Sequence, residues 1–266
     1  MSQTTLAEIL WQKAIENNNF EQAEKIYQHL AKTSSLNEEY CSVMGLWYEQ
    51  RQDYAKAIAA FKEALRFDSA MDDELYYQIA LCYFETAQFA DAEYFLTKSL
   101  LKDPQFADAI YLYAETLAHL GKNGQAAAHY KYLLKLIPDD IQLCINVAAS
   151  ISQLGYQEEA IEIYHRALVL DSDNYYLFSN LGVEYAELGD YDDALFCHYR
   201  AISLNNFCAD LWYNLACTYA HLKDEEKALD ALEKSINLDS GNKEYAVYDE
   251  ELNILHSSGR FWKLVE

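Results

Sequence analysis

The chain has 266 residues, with 20 basic and 43 acidic side chains and a formal net charge of −23. That balance disfavours nucleic acid and anionic membrane surfaces, because such recognition depends on Lys and Arg neutralising phosphates. No apolar run reaches the length of a membrane helix, and the start, Met1-Ser2-Gln3-Thr4-Thr5-Leu6, lacks the basic-then-apolar pattern of a secretory signal.

One residue sets the organisation. Ala23, Ala57, Ala92, Ala126, Ala160, Ala194 and Ala228 recur at intervals of 34 residues, with one of 35. A period of this length means one supersecondary unit copied and stacked. The predicted copies run about 4–37, 38–72, 73–106, 107–140, 141–174, 175–208 and 209–240, followed by a closing segment 241–266. With no Pro-, Gly- or Ser-rich linker between them, they are read as a single domain.

The first copy has Trp11 where its successors carry a small residue, and Asn17-Asn18-Asn19 at its turn. It reads as a terminal unit covering the open end of the stack. From the second copy onward, Gly45, Ala80, Ala114, Ala148, Gly182 and Ala216 stand twelve residues before the repeated alanine. Two rows of small side chains let paired helices approach closely. The 35-residue interval places a one-residue insertion between Asp68 and Leu75, read as a longer loop at Met71-Asp72-Asp73. Pro104 and Pro138 lie twelve residues after Ala92 and Ala126, where proline stops a helix; Ser69, Ser172, Asn206 and Ser240 take that place in other copies.

The sixth copy is the clearest. Phe178, Leu181, Gly182, Tyr185 and Leu188 form a first stretch, Gly189-Asp190 a turn, and Tyr191, Ala194, His198, Ala201 and Ile202 a second. Spacing by threes and fours is helical. Gly189 suits a left-handed helix end and Asp190 the next helix start, so each copy is helix, tight turn, helix. After Ser240 the pattern lapses into Tyr245, Tyr248, Leu252, Ile254 and Leu255, then Ser257-Ser258-Gly259, then Phe261-Trp262-Lys263-Leu264-Val265. This predicts one helix and a short final one laid over the last copy as a cap; a partner-binding tail is the alternative.

These residues resemble the tetratricopeptide repeat (TPR) family, in which an aromatic, Leu-Gly, Tyr, two alanines and a Pro stand at set offsets. Trp212, Leu215, Ala216, Tyr219 and Ala228 match, as do Gly45, Tyr48, Tyr54, Ala57, Phe61 and Ala64. The closing segment also looks like the one that follows the last repeat in many bacterial members. The resemblance implies an all-α, right-handed superhelical solenoid of seven helix-turn-helix units with a C-terminal capping helix. It also implies a non-catalytic binding role.

The chemistry-bearing residues agree with that expectation. His29, His119, His129, His165, His198, His221 and His256 form no His-Glu-x-x-His, and the adjacent Cys197 and His198 point about 100° apart on a helix. There is no Gly-x-Ser-x-Gly and no phosphate-binding Gly-rich loop. No metal or cofactor is expected, and the chain is read as not an enzyme. Six cysteines with no Cys-x-x-Cys pair give no disulfide framework, which predicts a cytoplasmic protein. The acidic excess has two readings: helix-start charges such as Asp53, Asp190 and Asp224 with general solubility, or selection for basic partners.

The resemblance places function on the concave face built by the first helix of each unit. One row there reads Glu39, Glu74, Asp108, Gln142, Tyr176 and Asp210; the next Ser42, Tyr77, Tyr111, Ile145, Ser179 and Tyr213; the third Val43, Gln78, Leu112, Asn146, Asn180 and Asn214. The predicted binding set is Glu74, Tyr77, Gln78, Asp108, Tyr111, Asn146, Tyr176, Asn180, Asp210, Tyr213 and Asn214. An Asn amide answers both donors and acceptors of an extended peptide, so the three asparagines read either as a main-chain ladder or as braces between repeats. Tyrosines offer flat apolar area with a polar tip. No base stands in these rows, which sets aside the family's clamp for a carboxy-terminal carboxylate. The leading expectation is an adaptor holding an extended, basic or neutral protein segment. A chaperone for a secreted or aggregation-prone client and a self-associating structural subunit are the alternatives, with monomer and dimer both open.

Overall fold

The computed structural model describes residues 6–67 and 72–266, so Asp68, Ser69 and Met71 and the first residues of the first copy lie outside the described residues. Among the described residues every regular element is helical. The chain divides into two compact units, Met1–Leu136 and Ile137–Glu266.

The first unit holds four helix pairs: α1 (Leu6–Glu16) with α2 (Phe20–Lys32), α3 (Glu38–Gln50) with α4 (Tyr54–Ala64), α5 (Asp72–Glu85) with α6 (Phe89–Lys102), and α7 (Ala107–His119) with α8 (Asn123–Leu136). The second holds α9 (Ile141–Gln153) with α10 (Gln157–Leu170), α11 (Tyr175–Leu188) with α12 (Tyr191–Leu204), and α13 (Ala209–His221) with α14 (Glu225–Leu238). It closes with α15 (Asn242–Tyr248), a 3-10 stretch Glu250–Ser257, and α16 (Gly259–Val265).

Both small-residue rows do what their spacing predicts. All seven repeated alanines are 0% exposed, and so are Ala80, Ala114, Ala148 and Ala216. At Gly45 and Gly182 the partner helix comes closer still. A Cβ on Gly45 would enter the Phe61 ring, and one on Gly182 would sit 2.6 Å from Cε1 of His198. Trp11, in place of a small residue, is buried and meets Tyr40 edge-on at 4.7 Å, filling the space between α1 and α3 with a large ring.

The turn inside each pair repeats one backbone conformation. Asn18, Gln52, Ala87, Gly121, Gly155, Gly189 and Lys223 all have positive φ, between 49° and 89°. Three are glycine; the others hold a conformation that costs an L residue about 1–2 kcal/mol. At Asp53 and Asp224 the side chain caps the second helix by accepting from the N–H of Lys56 and Lys227. Asp190 occupies the same place but makes no such bond, contrary to the expectation for it. The expected loop at Asp72-Asp73 is instead the first turn of α5. Its carboxylates favour the helix start, Asp72 Oδ2 pairs with Lys102 Nζ at 3.1 Å, and the Asp73 carbonyl accepts from Ser99 Oγ at 2.8 Å.

Consecutive pairs are tied by tyrosine hydroxyls. Tyr48 donates to Glu24 at 3.0 Å, Tyr83 accepts from Lys62 at 2.8 Å, Tyr185 meets His165 at 3.0 Å and Tyr219 meets Tyr199 at 2.6 Å. Each ties a first helix to the second helix of the preceding pair.

The closing segment covers the last pair: Ala246, Leu252, Leu255 and Phe261 are fully buried in the core that Leu215, Ala228 and Leu232 also build. It is broken where one helix is expected. Asp249 takes an extended conformation, and its Oδ1 accepts from the N–H of Glu251 while its Oδ2 accepts the Tyr213 hydroxyl at 2.7 Å. That contact stops α15 and starts the 3-10 stretch.

Candidate functional site

The first predicted row, Glu39, Glu74, Asp108, Gln142, Tyr176 and Asp210, is exposed, whereas the other two are mostly half-buried and Leu112 and Ser179 are buried. In each unit a cavity opens beside residues of these rows. In the first unit a cavity of about 340 Å³ lies between α3 and α5, with Glu38, Glu39 and Glu74 at the rim and Val43, Leu46 and Leu75 among its apolar walls. Gln78 also lines it, with a buried Oε1 that has no hydrogen-bond partner among the described residues. This combination suits a side chain with an apolar stem and a cationic end.

Farther along the same unit, Tyr77 packs against Phe106 at 5.0 Å. Burial, with the carboxylates of Asp108 and Glu49 nearby, pushes its phenol up to about 12, so the hydroxyl stays a donor. Asp108 is exposed. Tyr111 is half-buried and meets the buried Tyr130 edge-on at 5.7 Å.

In the second unit Asp210, Tyr213 and Asn214 come together in a cavity of about 780 Å³ whose other wall is the closing segment, through Tyr245, Tyr248 and Asp249. Tyr245 is 71% and Tyr248 79% exposed. The closing segment therefore covers the last pair with one side and lines the cavity with the other. Sequence reasoning left Tyr245 and Tyr248 out of the site; their three-residue spacing, which puts both rings on one helical face, was the available signal. Tyr176 is exposed and stacks on Tyr175 at 4.1 Å.

The three asparagines do not act alike. Asn214 donates to Ser179 Oγ of the preceding pair at 3.2 Å. Asn180 is half-buried beside the Tyr164 phenol on α10. Asn146 is exposed and accepts from Gln142 within its own helix at 2.9 Å. Asn214 therefore braces a neighbouring helix.

Stacked two-helix units with open, acidic and tyrosine-lined faces define a helical-repeat binding protein. Models of the tetratricopeptide repeat match residues 38–71, 175–208 and 209–242, and a second model of that repeat matches 77–141. The chain belongs to the tetratricopeptide repeat family. A search of curated proteins found no match. Among solved structures it is similar to YrrB, described as a TPR protein with an unusual peptide-binding site, at 23% identity over 74% of this chain and 97% of that one, TM-score 0.53. It is also similar to the MamA protein at 17% identity over 66% and 97%, TM-score 0.54. A MamA fragment from Desulfovibrio magneticus RS-1 aligns at 16% over 64% and 96%, TM-score 0.54. At these identities the likeness speaks for the fold alone; membership of the repeat family supports a protein–protein interaction scaffold. Among the described residues no helix is long and apolar enough to cross a membrane.

Proposed function

We propose that the chain holds an extended, basic or neutral segment of a partner protein against the first-helix faces of its repeats. The observation that carries this reading is the coincidence of two cavities with the predicted rows: Glu39, Glu74 and Gln78 line one, and Asp210, Tyr213 and Asn214 line the other. Both join carboxylates to apolar or aromatic walls, which complements Lys or Arg stems and heads. A net charge of −23 adds long-range attraction for basic segments. The description of YrrB as a peptide-binding TPR protein supports the same class of ligand.

The chain acts by holding rather than by chemistry. Burial pushes the thiols of Cys41 up to about 11 and of Cys82 and Cys197 up to about 12, the opposite of an activated nucleophile. All six cysteines are free and five are buried, which suits a reducing compartment such as the cytoplasm.

The test is fluorescence anisotropy with labelled extended peptides of basic, apolar and acidic composition, titrated at several salt concentrations. Basic peptides that bind most tightly and weaken with salt support the reading, since screening acts on exposed charge. Apolar peptides that bind best and ignore salt would favour a chaperone instead.

A further inference from the structure

A third cavity, of about 550 Å³, opens along the C-terminal halves of α11 and α13 beside the 3-10 stretch. Its lining includes Glu187, Tyr191, His198, His221, Asp249 and Glu251. It shares Tyr213, Asn214 and Asp249 with the larger cavity, so the two adjoin.

His198 is the anomaly in this wall. Four residues after the repeated alanine, other copies place Tyr27, Phe61, Leu96, Tyr130, Tyr164 and Leu232. His198 is 1% exposed, yet neither Nδ1 nor Nε2 has a hydrogen-bond partner among the described residues. Leaving buried polar atoms unpaired is costly. Burial pushes its pKa down to about 4, so at neutral pH the ring is uncharged and keeps one donor and one acceptor nitrogen. Gly182 makes the room: a Cβ there would lie 2.7 Å from Nδ1, and the next residue, Val183, lines the cavity.

The surrounding charge is one-sided. Asp249 is already engaged by Tyr213 and by the Glu251 N–H. Glu187 is exposed, and Glu251 has His221 Nε2 at 3.7 Å. The His221 and Tyr191 rings stack at 6.0 Å with an 18° interplanar angle, offering a flat wall. Carboxylates, a flat ring pair and a neutral acceptor fit a planar cation with several N–H donors.

We propose that this cavity seats the guanidinium of an arginine on the partner segment, with Glu187 and Glu251 accepting its N–H groups and the His198 imidazole as acceptor at the floor. The inference rests on the peptide-holding reading and names one anchor of that peptide. Arginine fits better than lysine because its fork pairs with carboxylates in two places, stacks on rings and is less strongly hydrated. The chain on either side of it then runs through the adjoining cavity past Tyr245 and Tyr248.

The experiment is an NMR titration of the labelled full chain, at constant ionic strength, with the blocked tripeptide acetyl-Gly-Arg-Gly-amide and its citrulline counterpart, which keeps the shape and loses the charge. The arginine peptide is expected to shift the His198, His221 and Tyr191 signals saturably, with the citrulline peptide weaker by about tenfold or more. The pair Glu187→Gln with Glu251→Gln should abolish saturation. His198→Phe should weaken binding while keeping the fold, since Phe61 already sits over Gly45 in the same register.

Equal binding of the two peptides, or shifts that never saturate and spread over the acidic surface, would overturn the assignment. So would variants that bind like the parent. If an extended basic peptide still binds while the tripeptide fails, the arginine seat falls and the groove reading stands; if both fail, both fall.

Discussion

His198→Phe also makes a prediction about acid stability that is independent of any ligand. The imidazole's ordinary pKa is 6.5, and burial in the α11–α12 pair lowers it to about 4. As pH falls below 6.5 the unfolded chain binds a proton at this position while the folded chain does not, so stability is lost as pH falls towards 4 and does not depend on this group above 6.5. The difference between 6.5 and about 4 corresponds to about 3 kcal/mol in full, and about 2 kcal/mol of it is reached by pH 5. Phenylalanine removes that loss, and at neutral pH it also removes two unpartnered ring nitrogens, a gain of about 1–3 kcal/mol. The assay is urea denaturation of parent and variant from pH 7.5 to pH 5, read as the difference between them so that carboxylate contributions cancel. The variant's advantage should widen by about 2 kcal/mol over that range. A gap that stays constant with pH would mean the folded imidazole titrates near its ordinary value, and the buried, unpaired histidine would be refuted.

Ala160→Leu places extra volume at a position with no exposure and should destabilise by about 1–3 kcal/mol in a thermal melt; an unchanged melt would contradict the repeat register. Ala87→Gly relieves a φ of 56° and should stabilise by about 0.5–1 kcal/mol after the entropy of glycine in the unfolded chain is counted; a lower urea midpoint would contradict the turn geometry. Asn214→Ala breaks the brace to Ser179 and should cost about 1 kcal/mol, whereas Asn146→Ala should stay within about 0.5 kcal/mol. Equal effects in denaturation would return the asparagines to a common role.

The repeat architecture was legible because the same volume constraint is written many times. A small residue at Ala148 and another at Ala160 meet in one helix pair, and the pairing recurs at a fixed interval, so every copy calibrates the others. Gly189 and Asn18 revealed their turns, because glycine and asparagine take a left-handed conformation most readily, while Ala87 and Lys223 concealed theirs. The binding face was legible as rows and opaque as partners. Asn214 meets Ser179 in the row beside it, but the corresponding neighbour of Asn180 is Ile145, which has no side-chain acceptor, so the same brace cannot form there. The closing segment has no second copy to read it against. Its break at Asp249 depends on Tyr213, 36 residues away, and that contact is what presents Tyr245 and Tyr248 as a wall of the cavity.

The central claim is that a basic, extended segment lies along the first-helix faces, and site-specific photo-crosslinking tests it most directly. A crosslinker placed in turn at Tyr77, Asp108 and Tyr245, and on the exposed second-helix positions Tyr94 and Phe196, would be activated with a bound basic peptide. The account predicts crosslinks from the first three positions, diminished by salt, and none from the last two. Crosslinks from Tyr94 or Phe196 with none from the row positions would contradict it.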